Sequence, residues 1–320
     1  MESNCHEKLM NSLQEKHRKI LDLIDGQSVQ YIDIPMYMNI GDHLIAHGTF
    51  KFLEENQVNI VRATSLYCFR ESWIDETDVL LFGGGGNFGD LYYEHHAVRR
   101  NIIQKALEKG KIVVVLPQSI WYQDDLRRLE DRLLFKDNRN FHLFTRDEQS
   151  YDIGRTLSSN VYLVPDMAHH IYNELMEISK KVKIQRDVMY FLRNDKEAIS
   201  HRDSEDLSSV DWCDLLRAAK YSKKLSKVYK LYHTFKRYHV ECLDMKLKLW
   251  RRVSWCVVKE CAFEFSKYQS VVTDRLHGMI FTVLLNRNVY VIDNSYKKLS
   301  NYQKLWLDND PTVKYYKSKK

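Results

Sequence analysis

The chain has 320 residues, 44% of them hydrophobic and 29% charged, with a formal net charge of +6. That length suits one large domain or two of ordinary size, and only 4 prolines and 11 glycines exclude long disordered segments. Its longest apolar runs, such as IVVVL at 112–116, are strand-sized and exclude a membrane-spanning helix.

In chain order, strands are predicted at 29–34, 59–63, 79–82, 112–116, 142–145 and 161–164, with helices between them at 42–55, 90–109, 124–136 and 147–155. Apolar, non-alternating strands separated by helices predict a parallel sheet covered on both faces. Each strand runs into turn chemistry: Asn39-Ile-Gly41, the four glycines at 83–86, Pro117-Gln-Ser119, Arg146-Asp147 and Pro165-Asp166. Those turns form the carboxyl edge of the sheet, where open α/β folds bind ligands. A second cycle starts near Asp187, with strands at 188–192, 269–273 and 289–292, a helix at 276–285, and a long helical stretch at 209–265. A polar linker at 178–185 divides the halves. The expected architecture is α/β, two Rossmann-type domains (1–180 and 181–320) facing a cleft.

The opening MESNCHEK lacks an apolar leader segment and the six cysteines form no Cys-x-x-Cys pair, so a cytoplasmic chain without a disulfide framework is expected. Charge is concentrated: from Arg217 to Arg252 twelve Lys/Arg face only Glu241 and Asp244, leaving the remainder net acidic. Apolar residues there recur at helical spacing (Leu225, Val228, Tyr229, Tyr232, Phe235). The segment reads either as domain helices with solvated basic faces or as a surface for anionic lipid across 220–252. No reading module accompanies the charge, so nucleic acid is not expected.

The glycine run continues as Gly84, Gly85, Gly86, Asn87, Phe88, Gly89, Asp90. Consecutive glycines after a buried strand would let backbone N–H groups approach an anion or sugar. The match to G-x-G-x-x-G lacks the acidic residue of a dinucleotide site, and no Gly-Lys-Ser/Thr completes a P-loop. Asn39, Gly41 and Asp42 open the first sheet helix beside the same edge. There Asp42 serves as a helix cap or orients an acceptor hydroxyl. Arg146 and Arg193, each at a strand end, can fork onto a carboxylate or phosphate. In Thr273-Asp-Arg-Leu-His-Gly278, Arg275 and His277 fall in a helix's first turn, joining a fixed cation to a group that exchanges protons near neutrality. The histidine pairs lack zinc spacing, so no metal is expected.

Together these motifs resemble the polysaccharide pyruvyl transferases. The resemblance runs from about Tyr31 to Tyr296 through NIGDHLI (39–45), GGGGNFGD (83–90), LPQS (116–119), TRDEQS (145–150), VPDMA (164–168) and DRLHG (274–278). It implies a GT-B-like fold and transfer of the enolpyruvyl group of phosphoenolpyruvate to two hydroxyls of a sugar, in a cell-surface polysaccharide or its lipid-linked precursor. Phosphate is released, and neither a metal nor a cofactor is needed, since phosphoenolpyruvate is a co-substrate. It further implies His277 as acid–base, with Arg146, Arg275 and Leu276 on the donor, joined by Lys297 or Lys298. The acceptor would then lie against Asn39, Gly41, Asp42, Gly84, Gly85, Gly86, Asn87 and Asp90, with the enzyme cytoplasmic or at the inner membrane face. The rival readings are a nucleotide-sugar glycosyltransferase of the same fold and a non-catalytic glycan- or membrane-binding module.

Overall fold

The computed structural model describes residues 2–193, 209–238, 243–293 and 298–315. Two helices that the sequence reading does not anticipate, α1 (Glu2–Glu15) and α2 (Arg18–Ile24), lead into β1 (Val29–Ile32). The chain continues through α3 (Ile40–Glu55), β2 (Ile60–Ala63), β3 (Val79–Phe82), β4 (Gly85–Gly89) and α4 (Tyr93–Glu108). Then come β5 (Ile112–Trp121), α5 (Asp125–Phe135), β6 (Phe141–Thr145), α6 (Glu148–Leu157), β7 (Val161–Leu163) and α7 (Tyr172–Lys180). All pairings are parallel, in the order β2-β1-β3-β5-β6-β7, with β4 added to the far half of β5. Every residue of β1 and β3 is buried, as a sheet covered on both faces requires. Because β1 connects outward to β2 and the chain then returns to β3 on the other side, the loops after β1 and β3 diverge and open a crevice.

The second set comprises β8 (Arg186–Phe191), α8 (Trp212–Ala218), α9 (Ser222–Tyr238), α10 (Leu243–Ser266), β9 (Tyr268–Thr273) and α11 (Leu276–Leu284). It closes with β10 (Asn288–Val291), α12 (Lys298–Tyr302) and β11 (Val313–Tyr315), giving a four-stranded parallel sheet in the order β11-β10-β9-β8. One continuous apolar cluster joins the two sheets. Helix α10 carries it, packing on α3 and α7 of the first set and on β9 of the second. The helix α1 and the residues after it brace the Pro165–Ile171 turn: Gln14 donates to the His169 carbonyl at 2.8 Å and the His17 ring lies 2.8 Å from the Pro165 carbonyl.

Two expectations need correction. The glycine run is not a turn opening a helix. After Gly83 and Gly84 the chain forms β4, paired with β5 from Gly85↔Gln118 to Gly89↔Trp121. Its glycines are needed for close approach: a Cβ on Gly84 would sit 2.7 Å from the Pro117 carbonyl oxygen, and one on Gly89 1.9 Å from that of Trp121. Likewise the strand at 112–116 does not stop at Pro117 but runs to Trp121, with a register shift between Val115 and Gln118 that accommodates the missing proline N–H.

The basic stretch also resolves. Leu225, Val228, Tyr229 and Tyr232 are buried on the inner side of α9, while Lys223, Lys224, Lys227 and Lys230 are exposed. Tyr229 donates to the Tyr37 carbonyl at 2.8 Å, tying α9 to the loop after β1. Leu225, Val228, Tyr229 and Tyr232 are therefore core, the Phe235 side chain lies outside the described residues, and the lysine face is the exposed one among those described. Among the described residues no helix is long and apolar enough to cross a membrane.

Candidate active site

A cavity of about 340 Å³ lies where the carboxyl edges of the two sheets meet. From the first set it is lined by Tyr37, Asn39 and Asp42 after β1, Gly86 and Asn87 on β4, and Arg146 after β6. From the second it takes Arg193 after β8, Trp212 on α8, and Asp274 to His277 after β9.

Each wall is built by local capping. Asn39 caps α3 by accepting from the Gly41 N–H at 3.0 Å, which fixes the helix end carrying Asp42. Arg275 is the N-cap residue of α11, its own N–H donating to Thr273 Oγ1 at 3.0 Å, so Leu276 and His277 occupy the first turn. The two walls touch at Gly41, where a Cβ would lie 2.6 Å from His277 Nδ1.

The His277 ring sits in a charged nest. Its Nε2 is 3.4 Å from Asp166 Oδ2 and 3.4 Å from Arg146 Nη1. Arg146 is buried, donating to Asp166 Oδ2 at 2.6 Å and from Nε to Ser119 Oγ at 3.0 Å, while Ser119 passes the chain on to Asp147 at 2.7 Å. Burial opposes the charge on Asp166, but His277 and Arg146 outweigh it and hold the carboxyl well below the usual carboxylate range. The His277 ring nitrogen thus lies between a carboxylate and a guanidinium. Asp42 behaves oppositely: burial pushes its carboxyl up, with His277 and a hydrogen bond from Tyr37 only partly offsetting this.

Arg275 pairs with Asp211 at 2.5 Å. Asp211 is itself locked by the capping box of α8, in which it also accepts from the Trp212 N–H at 2.6 Å. The Arg193 N–H donates to Asp274 Oδ1 at 2.8 Å, so β8 and β9 present their arginines side by side.

Of the residues singled out in the sequence, the structure brings Asn39, Asp42, Gly86, Asn87, Arg146, Arg193, Arg275, Leu276 and His277 onto one cavity. Gly41 backs His277 rather than lining the cavity, Gly84 packs closely on Pro117, and Gly85, with φ +141°, pairs with Gln118 in β4. Asp90 lies outside: its carboxylate accepts from the N–H groups of Gln123 and Asp124 at 2.6–2.9 Å. Lys297 and the Lys298 side chain lie outside the described residues. The sequence reading missed Asp166, Asp211, Trp212, Tyr37 and His95. Only Asp166 had a signal, since it ends a strand as Arg146 does. Of the histidine pairs, His43 and His47 are core, with His47 stacked on Trp250 and burial pushing His43 down to about 4, whereas His95 lines the cavity. Among the described residues no three His, Cys, Asp or Glu side chains gather to hold a metal ion.

Residues 39–296, which contain every lining residue named above except Tyr37, match the family described as "Polysaccharide pyruvyl transferase". The chain belongs to this family. It is 31% identical to EpsO of Bacillus subtilis (strain 168), described as a candidate pyruvyl transferase, over 95% of this chain and 94% of that one. It is 27% identical to "Pyruvyl transferase 1" of Schizosaccharomyces pombe over 88% of this chain and 70% of that one. A crystal structure of a functionally uncharacterised Klebsiella pneumoniae protein aligns over 96% of this chain and 99% of its own, with a TM-score of 0.62 and 21% identity. At that identity the likeness concerns the fold alone.

Proposed function

We propose that the protein transfers the enolpyruvyl group of phosphoenolpyruvate to two hydroxyls of one sugar, in a cell-surface polysaccharide or its lipid-linked precursor, forming a cyclic ketal and releasing phosphate. The observation that carries this reading is the convergence of Arg146, Arg193, Arg275 and His277 on one cavity in a chain of this family. The donor carries a carboxylate and a phosphate, and planar guanidinium groups suit both. His277 protonates the methylene carbon, making C2 electron-poor, and sugar hydroxyls add there in turn as phosphate departs. Proton transfer of this kind is worth about 10²–10⁴-fold, with arginine electrostatics acting on the departing charge.

In this reading the two sheets are the lobes of a GT-B-like enzyme, residues 1–180 on the acceptor side and 181–320 on the donor side. The acceptor approaches over Asn39, Asp42, Gly86 and Asn87. No metal or further cofactor takes part. The exposed lysines of α9 hold the enzyme at the inner face of the cytoplasmic membrane, where a lipid-linked acceptor would be met.

The test is incubation of purified protein with phosphoenolpyruvate and galactose-, glucose- and mannose-type acceptors, followed by mass spectrometry. A pyruvyl ketal formed without any nucleotide supports the reading; dependence on a nucleotide sugar refutes it.

A further inference from the structure

Across the cavity from Arg275 stands a second histidine that the reading above does not use. His95 lies in the first turn of α4 and lines the cavity. Its Nε2 is 3.0 Å from Asp33 Oδ1 and 3.2 Å from Asp33 Oδ2. Asp33 directly follows β1 with a positive φ of 76°, and its carboxylate reaches His95 and Arg99 of α4. There it pairs with the fully buried Arg99, whose guanidinium also donates to the Asn87 carbonyl at 3.1 Å and to Asn87 Oδ1 at 2.6 Å. Although burial works against its charge, Arg99 and His95 hold the Asp33 carboxyl far below the ordinary range. An ionised carboxylate only accepts, so Nε2 carries the hydrogen and a neutral ring has its lone pair on Nδ1, 3.4 Å from the Tyr67 hydroxyl.

The stoichiometry of ketal formation calls for such a group. Two C–O bonds form at C2, the bond from C2 to the phosphate oxygen breaks, and the methylene gains one hydrogen. Two hydroxyl protons are released: one ends on the methylene carbon and the other on the departing phosphate. His277, having given its proton, can take back one. The other hydroxyl needs its own base while its C–O bond forms.

We infer that His95, oriented by Asp33, is that base, taking the proton of one sugar hydroxyl and handing it to the departing phosphate. The inference rests on the pyruvyl-transfer reading and deepens it. It makes His95 a catalytic residue, Asp33 and Arg99 positioning residues, and Tyr67 a relay between Nδ1 and solvent. The titratable and charged groups around His95 are Asp33 after β1, Tyr67 from the Leu66–Cys68 turn, Glu94 and Arg99 from α4, whose charges act on Tyr67, and Tyr37 and Asp42, which line the same cavity.

The experiment uses the full chain, phosphoenolpyruvate, and whichever methyl glycoside the wild-type enzyme pyruvylates. His95→Gln should lower kcat by about 10²–10⁴-fold. Its Kd for phosphoenolpyruvate, measured by calorimetry, should stay within about twofold of wild type because the donor arginines are untouched. His95→Ala should regain rate with added imidazole, which a merely structural histidine would not allow, and Asp33→Asn should show a smaller loss. A His95→Gln enzyme within about threefold of wild type overturns the inference alone. So does a slow His95→Ala enzyme that binds donor normally and ignores imidazole. A wild-type protein that forms no ketal with any acceptor overturns the reading beneath it, and this inference with it.

Discussion

Gly41 is the point at which the two walls of the site meet, and replacing it with alanine separates activity from stability. The new Cβ would fall 2.6 Å from His277 Nδ1, 2.8 Å from Cγ and 3.0 Å from Cβ. Comfortable contact between such atoms begins at about 3.5 Å, so the ring must retreat by roughly 1 Å. That retreat disturbs an Nε2 placed 3.4 Å from both Asp166 and Arg146. Misplacing a reacting group by about 1 Å costs on the order of 10²-fold in rate. Stability should move little, because alanine in a helix gains about 0.5–1 kcal/mol over glycine and so offsets the strain. Phosphate release from phosphoenolpyruvate with a competent acceptor, measured beside a thermal melt, checks both halves. A Gly41→Ala enzyme within about threefold of wild type would refute the claim that this contact sets the position of His277.

Three further outcomes follow from the packing and charge. Gly89→Ala, whose Cβ would lie 1.9 Å from a carbonyl oxygen on a backbone with φ +101°, should destabilise the fold by about 3 kcal/mol or more in urea titration; an unchanged midpoint would deny that β4 needs its glycines. His17, His43 and His169 are held neutral by burial, each pushed from 6.5 to about 4. Between those values the unfolded chain binds protons that the folded one refuses, so stability falls as pH drops through that window, by about 3 kcal/mol per ring; a Tm that stays constant there would contradict the burial. Changing Lys223, Lys224 and Lys227 together to Glu should weaken co-sedimentation with anionic vesicles by about 10²-fold, and unchanged pelleting would remove the lysine face of α9 from any membrane role.

The strands and the turns that follow them were legible because their signals are local. Val79–Phe82 is a buried apolar run bounded by Asp78 and glycine, and the strand has those bounds. Arg146, Arg193 and Arg275 could be placed on the edge of a sheet because each follows a strand, and parallel topology then sends all such ends to one side. What could not be read depends on partners far away in sequence. The glycines of β4 have poor strand propensity and become a strand only because β5, past its register shift, offers an unpaired edge. Asp211 lies 64 residues before Arg275 and meets it only through the α8 cap. The inner face of α9 reads the same whether it meets lipid or protein, and the bond from Tyr229 to Tyr37 decides it.

The central claim is that the cavity between the sheets is built for a small enol ester carrying both a carboxylate and a phosphate. The measurement that addresses it most directly is a crystal structure of the protein with phosphoenolpyruvate bound. The account predicts the ester lying between Arg146 and Arg275 with its methylene carbon toward His277. An ester found elsewhere, or crystals that take up none at millimolar concentration, would contradict it.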